Sequence, residues 1–290
     1  MISRNDPCWC GSEKKWKKCH YPEISAQLSL EEKRARYKKT YNILLKTPQE
    51  IDGIRKSCRL SASILRELCK AAKVGVTTKE LNSLAIKLNK EAGAIPATLG
   101  YGSPPFPAAI CTSLNDVICH GIPNDRPLQE GDILNIDTTS ILHGYYGDCS
   151  AMVTIGEVSK EKQHVVDVAK KCLMESIALV KPHLEIYKIG ECISDIAEAH
   201  GCSVVYQFVA HGVGLKFHEE PQICHHRNTN KTPLEEGMTF TIEPMINAGL
   251  PHGEIDKEDK WTAKTVDGRA SAQWEHTILV TSDGFEILTL

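Results

Sequence analysis

Apolar residues recur at helical spacing after Thr47, with Ile51, Ile54, Cys58, Ala62, Leu65, Cys69 and Ala72 on one stripe. Thr47 as N-cap, Pro48 at the first helical position and Glu50 placed to close a capping box predict where that helix starts, and Gly75 marks its end. Thr77 with Glu80 repeats the start signal, and Leu81, Leu84, Leu88 and Ala92 carry a second helix to Gly93. Beyond this the period changes. Segments around 109–112, 133–139, 147–153, 204–209, 238–242 and 272–281 are β-like, separated by Gly, Pro and Asn turns. Helical stretches over 160–180 and 186–200 fall between the third and fourth of them. Helix pair and strand group thus occur twice, which predicts two α+β halves packed around one sheet. No short-period repeat supports a solenoid.

Composition narrows the class. With 41% hydrophobic and 24% charged residues over 290 positions, the chain has globular content and the length for a core with an internal site. No apolar run approaches the ~18 residues of a membrane span, so no membrane partner is expected. The first residues, Met-Ile-Ser-Arg-Asn-Asp-Pro, lack the basic and apolar regions of a signal peptide, and the cysteines are accordingly read as thiols of a reducing cytoplasm. Charge is uneven. Residues 1–47 hold eleven Lys and Arg against five Asp and Glu, a balance of +6, and the remaining 23 against 32 give −9 for residues 48–290. Such a basic head suggests an anionic partner, although a solvated, charged helix within 29–46 also accounts for it. Residues 1–22 have too few aliphatics for a core of their own. The expected organisation is a head over 1–22, a hydrophilic arm over 23–47 and a main domain over 48–290.

Candidate chemistry lies where acids interrupt apolar text. Asp137 sits in Ile-Leu-Asn-Ile-Asp-Thr-Thr and Asp148 in Tyr-Tyr-Gly-Asp-Cys-Ser, on strands that the His143-Gly144 turn can bring side by side. Glu243 and Glu275 are likewise acids in strand-like segments, and His211 lies in the turn His-Gly-Val-Gly. A bare carboxylate in such a strand is costly unless a cation or partner compensates it. Singly, each reads better as a satisfied buried polar group. Together, four hard oxygen donors and one imidazole suit a dinuclear site for Mn, Fe, Co or Zn.

The blocks CTSLNDVICHGIP (111–123), NIDTT (135–139), GDCS (147–150), HGVGLKFHEEP (211–221), FTIEP (240–244) and SAQWEHTILVT (271–281) together resemble the type I methionine aminopeptidases, in an order and separation that fit residues 48–290. The resemblance implies the pita-bread fold, an α+β architecture of two pseudo-symmetric halves around a bent antiparallel sheet. It implies that Asp137 chelates one metal ion, that Asp148 and Glu275 bridge two, and that His211 and Glu243 complete the second. Thr139 would orient a bound water or a ligand carboxylate. His120 and His218 match the family's two histidines that are not ligands. The implied reaction is removal of the initiator methionine from nascent chains, with a small second residue preferred, by a hydroxide bridging the two ions. Glu243 would shuttle the proton, His218 would donate to the oxyanion, and His120 would contact the substrate amide. Tyr101, Phe106, Cys111, Phe217 and Trp261 match the walls of the methionine pocket, joined by His120 and His218. Two departures touch specificity: the loop from Tyr101 to Phe106 is longer than in many bacterial relatives, and Thr98 stands where some carry a cysteine. A monomer is expected.

The head carries a second constellation. Cys8, Cys10, Cys19 and His20 are four soft ligands in a compact segment that suits tetrahedral zinc, which would replace the missing core. The stretch RNDPCWCGSEKKWKKCH resembles the SEC-C segment found at the end of the SecA translocation motor, in which the last ligand is Cys or His. That resemblance implies one structural zinc and docking to the ribosome or to a chaperone or translocation factor, with Lys14, Lys15, Lys17 and Lys18 around Trp16 as a basic face.

Two other readings compete. X-Pro peptidases use the same metal constellation on the same fold, but with a large N-terminal domain that 47 residues cannot supply. Non-catalytic binding proteins of this fold lose metal ligands, whereas all five matched positions are intact here.

Overall fold

A computed structural model describes residues 3–8, 14–19 and 28–290. The chain forms two compact units, Met1–Leu45 and Lys46–Leu290. In the first, Pro7 bridges Lys15, the Cys8 N–H donates to the Lys14 carbonyl at 2.8 Å and the Trp16 N–H to the Asp6 carbonyl at 2.8 Å. Trp16–Lys18 is one 3-10 turn, and Cys8 and Trp16 are buried. Cys10 and His20 lie outside the described residues. Helix α1, Leu30–Tyr41, opens on a capping box between Ser29 and Glu32 and closes on Asn42 at φ 59°. It is mostly exposed, as its charges predict, but Ile43 and Leu45 after it are buried, so the arm is not hydrophilic to its end.

The second unit contains the predicted helix pairs. Helix α2, Pro48–Ala71, and α3, Thr78–Glu91, each begin with the capping box expected at Thr47/Glu50 and Thr77/Glu80; α4 is Lys160–Ile177 and α5 is Tyr187–Ala199. The long strand Ile133–Leu142 anchors the first sheet. Strand Tyr145–Thr154 runs antiparallel along one edge of it, joined by the His143-Gly144 turn, whose φ angles of 52° and 85° are those of a tight hairpin. Strands Cys111–Leu114 and Ile95–Pro96 follow one another along the other edge. Leu65 and Leu68 of α2 and Leu81 of α3 pack on Leu134 and Ile136 of this sheet. Ser57 and Ser61 of α2 donate to the Ser140 and Gly147 carbonyls at 2.9 and 2.7 Å, so the helix is bonded to the sheet as well as packed on it.

The second half repeats the plan. A five-stranded sheet orders Phe285–Ile287, His276–Val280, Thr239–Ile242, Ala210–Gly212 and Glu219–Ile223, all antiparallel. A three-stranded sheet of Ser271–Gln273, Met245–Asn247 and Ser203–Val204 lies under α4 and α5. Two expected strands are corrected. The stretch 272–281 is two strands in two sheets, because Trp274 turns toward α4, donating to the Val166 carbonyl at 3.2 Å, while Glu275 pairs with Ser150 across the halves. The stretch 204–209 keeps only its start as a strand, Ser203–Val204.

Candidate active site

Two adjacent strands and the opposing sheet converge their acids. Asp137 and Asp148 come from the paired strands of the first half, and His211, Glu243 and Glu275 from the five-stranded sheet or its immediate ends. Ligand atoms of Asp148, His211 and Glu275 all lie within 4.8 Å of one another, and all three residues are buried. The His211 Nε2 is 3.6 Å from Glu243 Oε1 and 3.8 Å from Asp148 Oδ2. Asp137 stands outside that three-member group, retains some exposure, and faces Ser150 and Cys111 across the sheet.

Hydrogen bonds behind these groups fix their orientation. The Thr139 hydroxyl donates to Asp148 Oδ1 at 2.6 Å, Thr241 to Glu243 Oε1 at 2.7 Å, and the Gln273 amide to Glu243 Oε2 at 3.1 Å. The Glu243 N–H is itself received by His225 Nε2 at 3.2 Å. Since a carbonyl only accepts, the 3.0 Å contact of His211 Nδ1 with the Gly212 oxygen puts the proton on Nδ1 and leaves the Nε2 lone pair toward the acids.

The electrostatics describe a site without enough positive charge of its own. Burial, reinforced by mutual repulsion, pushes Asp137, Glu243 and Glu275 well above the ordinary carboxylate range. Burial lifts Asp148 to about 7 against the pull of Thr139 and the Cys149 N–H. Burial also drives His211 down to about 3, so its imidazole is neutral and available as a donor. Four acids, three of them buried, that cannot all ionise together, with a neutral imidazole among them, fit divalent cations, whose charge would reverse that penalty.

Around this centre the predicted pocket residues fall in two groups. Phe106, Cys111 and Trp261 belong to one apolar cluster with Ala108 and Ile122. Tyr101 and Phe217 meet edge-on with ring centroids 4.9 Å apart, and the Tyr101 hydroxyl is 2.7 Å from His218 Nδ1. The loop from Tyr101 to Phe106 joins the groups, because Trp261 Nε1 donates to the Pro104 carbonyl at 3.0 Å. His120, at φ 57°, stands edge-on to Phe208 and Trp261. Loss of solvent pushes both His120 and His218 down to about 4, which keeps each neutral at pH 7 even though part of His218 is exposed. Burial raises the Cys111 thiol far above its usual range, so it is a protonated apolar wall. The Thr98 hydroxyl donates to the Ala108 carbonyl at 3.0 Å. Sequence reasoning missed Thr241, Gln273, His225 and Phe208. The first two were detectable, standing two residues before Glu243 and Glu275 as Thr139 stands two after Asp137.

Residues 52–282 match the metallopeptidase family M24, and residues 4–22 match the SEC-C motif. The methionine aminopeptidase of Chlamydia muridarum is 57% identical over 289 residues, covering 100% of this chain and 99% of that one. The crystal structure of methionine aminopeptidase from Rickettsia prowazekii superposes with a TM-score of 0.83 at 44% identity, covering 86% of this chain and 100% of the other. The prolidase from Pyrococcus horikoshii, at 21% identity, TM-score 0.69, 85% of this chain and 63% of the other, shares the fold. Fold and buried acids together therefore define a metallopeptidase of the pita-bread class. The chain belongs to family M24 and, within it, to the type I methionine aminopeptidases that carry an N-terminal SEC-C motif. It is accordingly a metal-dependent hydrolase acting on N-terminal methionine, and the X-Pro and non-catalytic readings fall away.

Proposed function

We propose that this enzyme removes the initiator methionine from nascent cytoplasmic proteins, favouring a small second residue. Asp137, Asp148, His211, Glu243 and Glu275 would hold two divalent ions of Mn, Fe, Co or Zn. The observation that carries this reading is the convergence of Asp148, His211 and Glu275 within 4.8 Å, in a chain that belongs to a metallopeptidase family. When bound, the ions would lower the pKa of a water toward ~7 and anchor the substrate's free amine.

The remaining steps belong to the protein. Glu243 accepts the water's proton and returns it to the leaving amine, held in place through both its oxygens by Thr241 and Gln273. His218 donates to the oxygen on which charge develops, and His120 contacts the scissile amide. Both histidines suit this as neutral donors, since an imidazolium would add positive charge beside the cations. The soft and aromatic walls of Tyr101, Phe106, Cys111, Phe217 and Trp261 suit an unbranched thioether. Met-Ala-Ser should be cleaved at its first bond, Met-Trp-Ser far more slowly and Ala-Pro-Ser not at all. A chelator should abolish the reaction and Mn²⁺ restore it; activity that survives complete metal removal would refute the reading.

We further infer that Cys8, Cys10, Cys19 and His20 hold one structural zinc, and that the head docks the enzyme at the ribosome or a chaperone or translocation factor. The match of residues 4–22 to the SEC-C motif supports this, together with the burial of Cys8 and Trp16 in so short a segment. The cysteines of the catalytic unit are free thiols, in keeping with a reducing compartment.

A further inference from the structure

Lys46 reads in the sequence as the last lysine of a solvated arm, yet it is 1% exposed. Its Nζ lies 3.0 Å from Oε2 of Glu219, itself only 11% exposed. A buried ammonium loses several kcal/mol of hydration even when paired, and an apolar pair of the same volume serves stability at least as well. The arrangement therefore calls for an explanation other than stability. What it supplies is direction. The Glu219 carboxylate spans the loop before it: Oε1 accepts the Leu215 N–H at 3.1 Å while Oε2 is held by Lys46. Within that span lie Phe217 and His218, with His218 immediately before Glu219. Lys46 has no freedom to follow a moving loop, since its own N–H donates to the Gly237 carbonyl at 2.7 Å and Thr47, the next residue, caps α2.

We propose that Lys46 is a positioning residue of the active site, which through Glu219 fixes the loop that carries Phe217 and His218. The proposal rests on the donor role of His218 stated above. Tyr101 holds the far side of the His218 ring by its 2.7 Å hydrogen bond to Nδ1, so the imidazole is set between a hydroxyl on one flank and the braced loop on the other. Without Lys46 the ring retains one of these two restraints. A loss of orientation of this kind lowers kcat, with metal content unaffected, because no metal-ligating group has been touched.

The test is a double-mutant cycle in the full-length, metal-loaded enzyme, with Met-Ala-Ser as substrate. Lys46→Met should lower kcat on the order of 10-fold at unchanged metal stoichiometry. In a His218→Ala background the same change should cost less than about 2-fold, because the group that Lys46 positions is gone. If Lys46→Met fails to fold, the pair Lys46→Met/Glu219→Gln, which leaves no buried charge, is read in its place with the same expectation. Full additivity with a slow His218→Ala, or an unchanged kcat in the paired variant, would overturn the positioning role alone. A His218→Ala enzyme that runs at the parent's rate would instead overturn the donor role of His218, and the brace with it.

Discussion

Thr139 and Thr241 stand behind Asp148 and Glu243 as single hydroxyls that each aim a carboxylate oxygen, and the Thr241 hydroxyl also accepts the His211 N–H at 3.1 Å. Removing such a group leaves the ligands in place but free to turn, which costs metal affinity about 10–100-fold. Thr139→Val should therefore weaken Mn²⁺ binding on that scale, read by competition with a chelator, with little change in the rate at saturating metal. Away from the site, Asp132 offers a pH-dependent contact. Burial alone would lift its carboxyl, yet hydrogen bonds from Arg126, Asn115 and the Gln129 N–H outweigh it and hold the group below the ordinary range. A folded value under the unfolded one of about 4 means that the unfolded chain binds the proton more readily. The contribution is complete above that value and lost as pH falls through the folded one. Asp132→Asn should thus lower Tm at pH 7, with the gap to the parent narrowing from about pH 4 downward; a gap constant to pH 2 would show that the ionised carboxylate is not what matters. The four acids of the site, unlike Asp132, were legible because they interrupt apolar text. His225 and Lys46 were not, since one sits in the polar run Cys-His-His-Arg-Asn and the other closes a lysine-rich arm, where nothing local signals burial.

Elements whose boundaries are set by neighbouring residues are the ones that pattern reading places well. The starts of α2 and α3 are capping boxes closed within four residues, and the turn at His143-Gly144 depends on two. The break at Trp274 and Glu275 depends instead on α4 and on Ser150, both more than a hundred residues away in sequence, so periodicity runs straight through it. The approach of α2 to the first sheet is another long-range fact. A Cβ at Gly147 would run into the backbone of Ser57 and Cys58, at the point where Ser61 donates to the Gly147 carbonyl. Gly147→Ala should push the helix outward and cost about 1–3 kcal/mol, read as a lower urea midpoint at unchanged m-value. A neutral result would mean that the helix can slide without loosening the core. Since Asp148 is the next residue, metal content should fall in the same variant.

Head and catalytic unit can be separated chemically without cutting the chain. The boundary lies before Lys46, two residues earlier than the expected one, so a deletion of residues 1–46 would remove the brace on Glu219 together with the head. Cys8→Ser with Cys19→Ser is the cleaner test. It should release one equivalent of zinc and leave tripeptide hydrolysis within about 2-fold, since no residue assigned to catalysis lies in the head; loss of hydrolysis with the active-site metals retained would make the head part of the catalytic apparatus. Within the catalytic unit the two halves also meet backbone to backbone. Ser150 and Glu275 exchange backbone hydrogen bonds of 3.1 and 3.4 Å across them, and Glu275 carries a carboxylate of the site. Ions that bind only the registered arrangement make occupancy and registration a single equilibrium. Amides at that seam exchange with solvent deuterium only when it opens, so Mn²⁺ should slow uptake at Ser150 and Glu275 while that of α1 stays as it was. Uptake indifferent to Mn²⁺ would uncouple the two. On this account, metal starvation would leave a chain whose two halves part more often, exposed to proteases as well as idle.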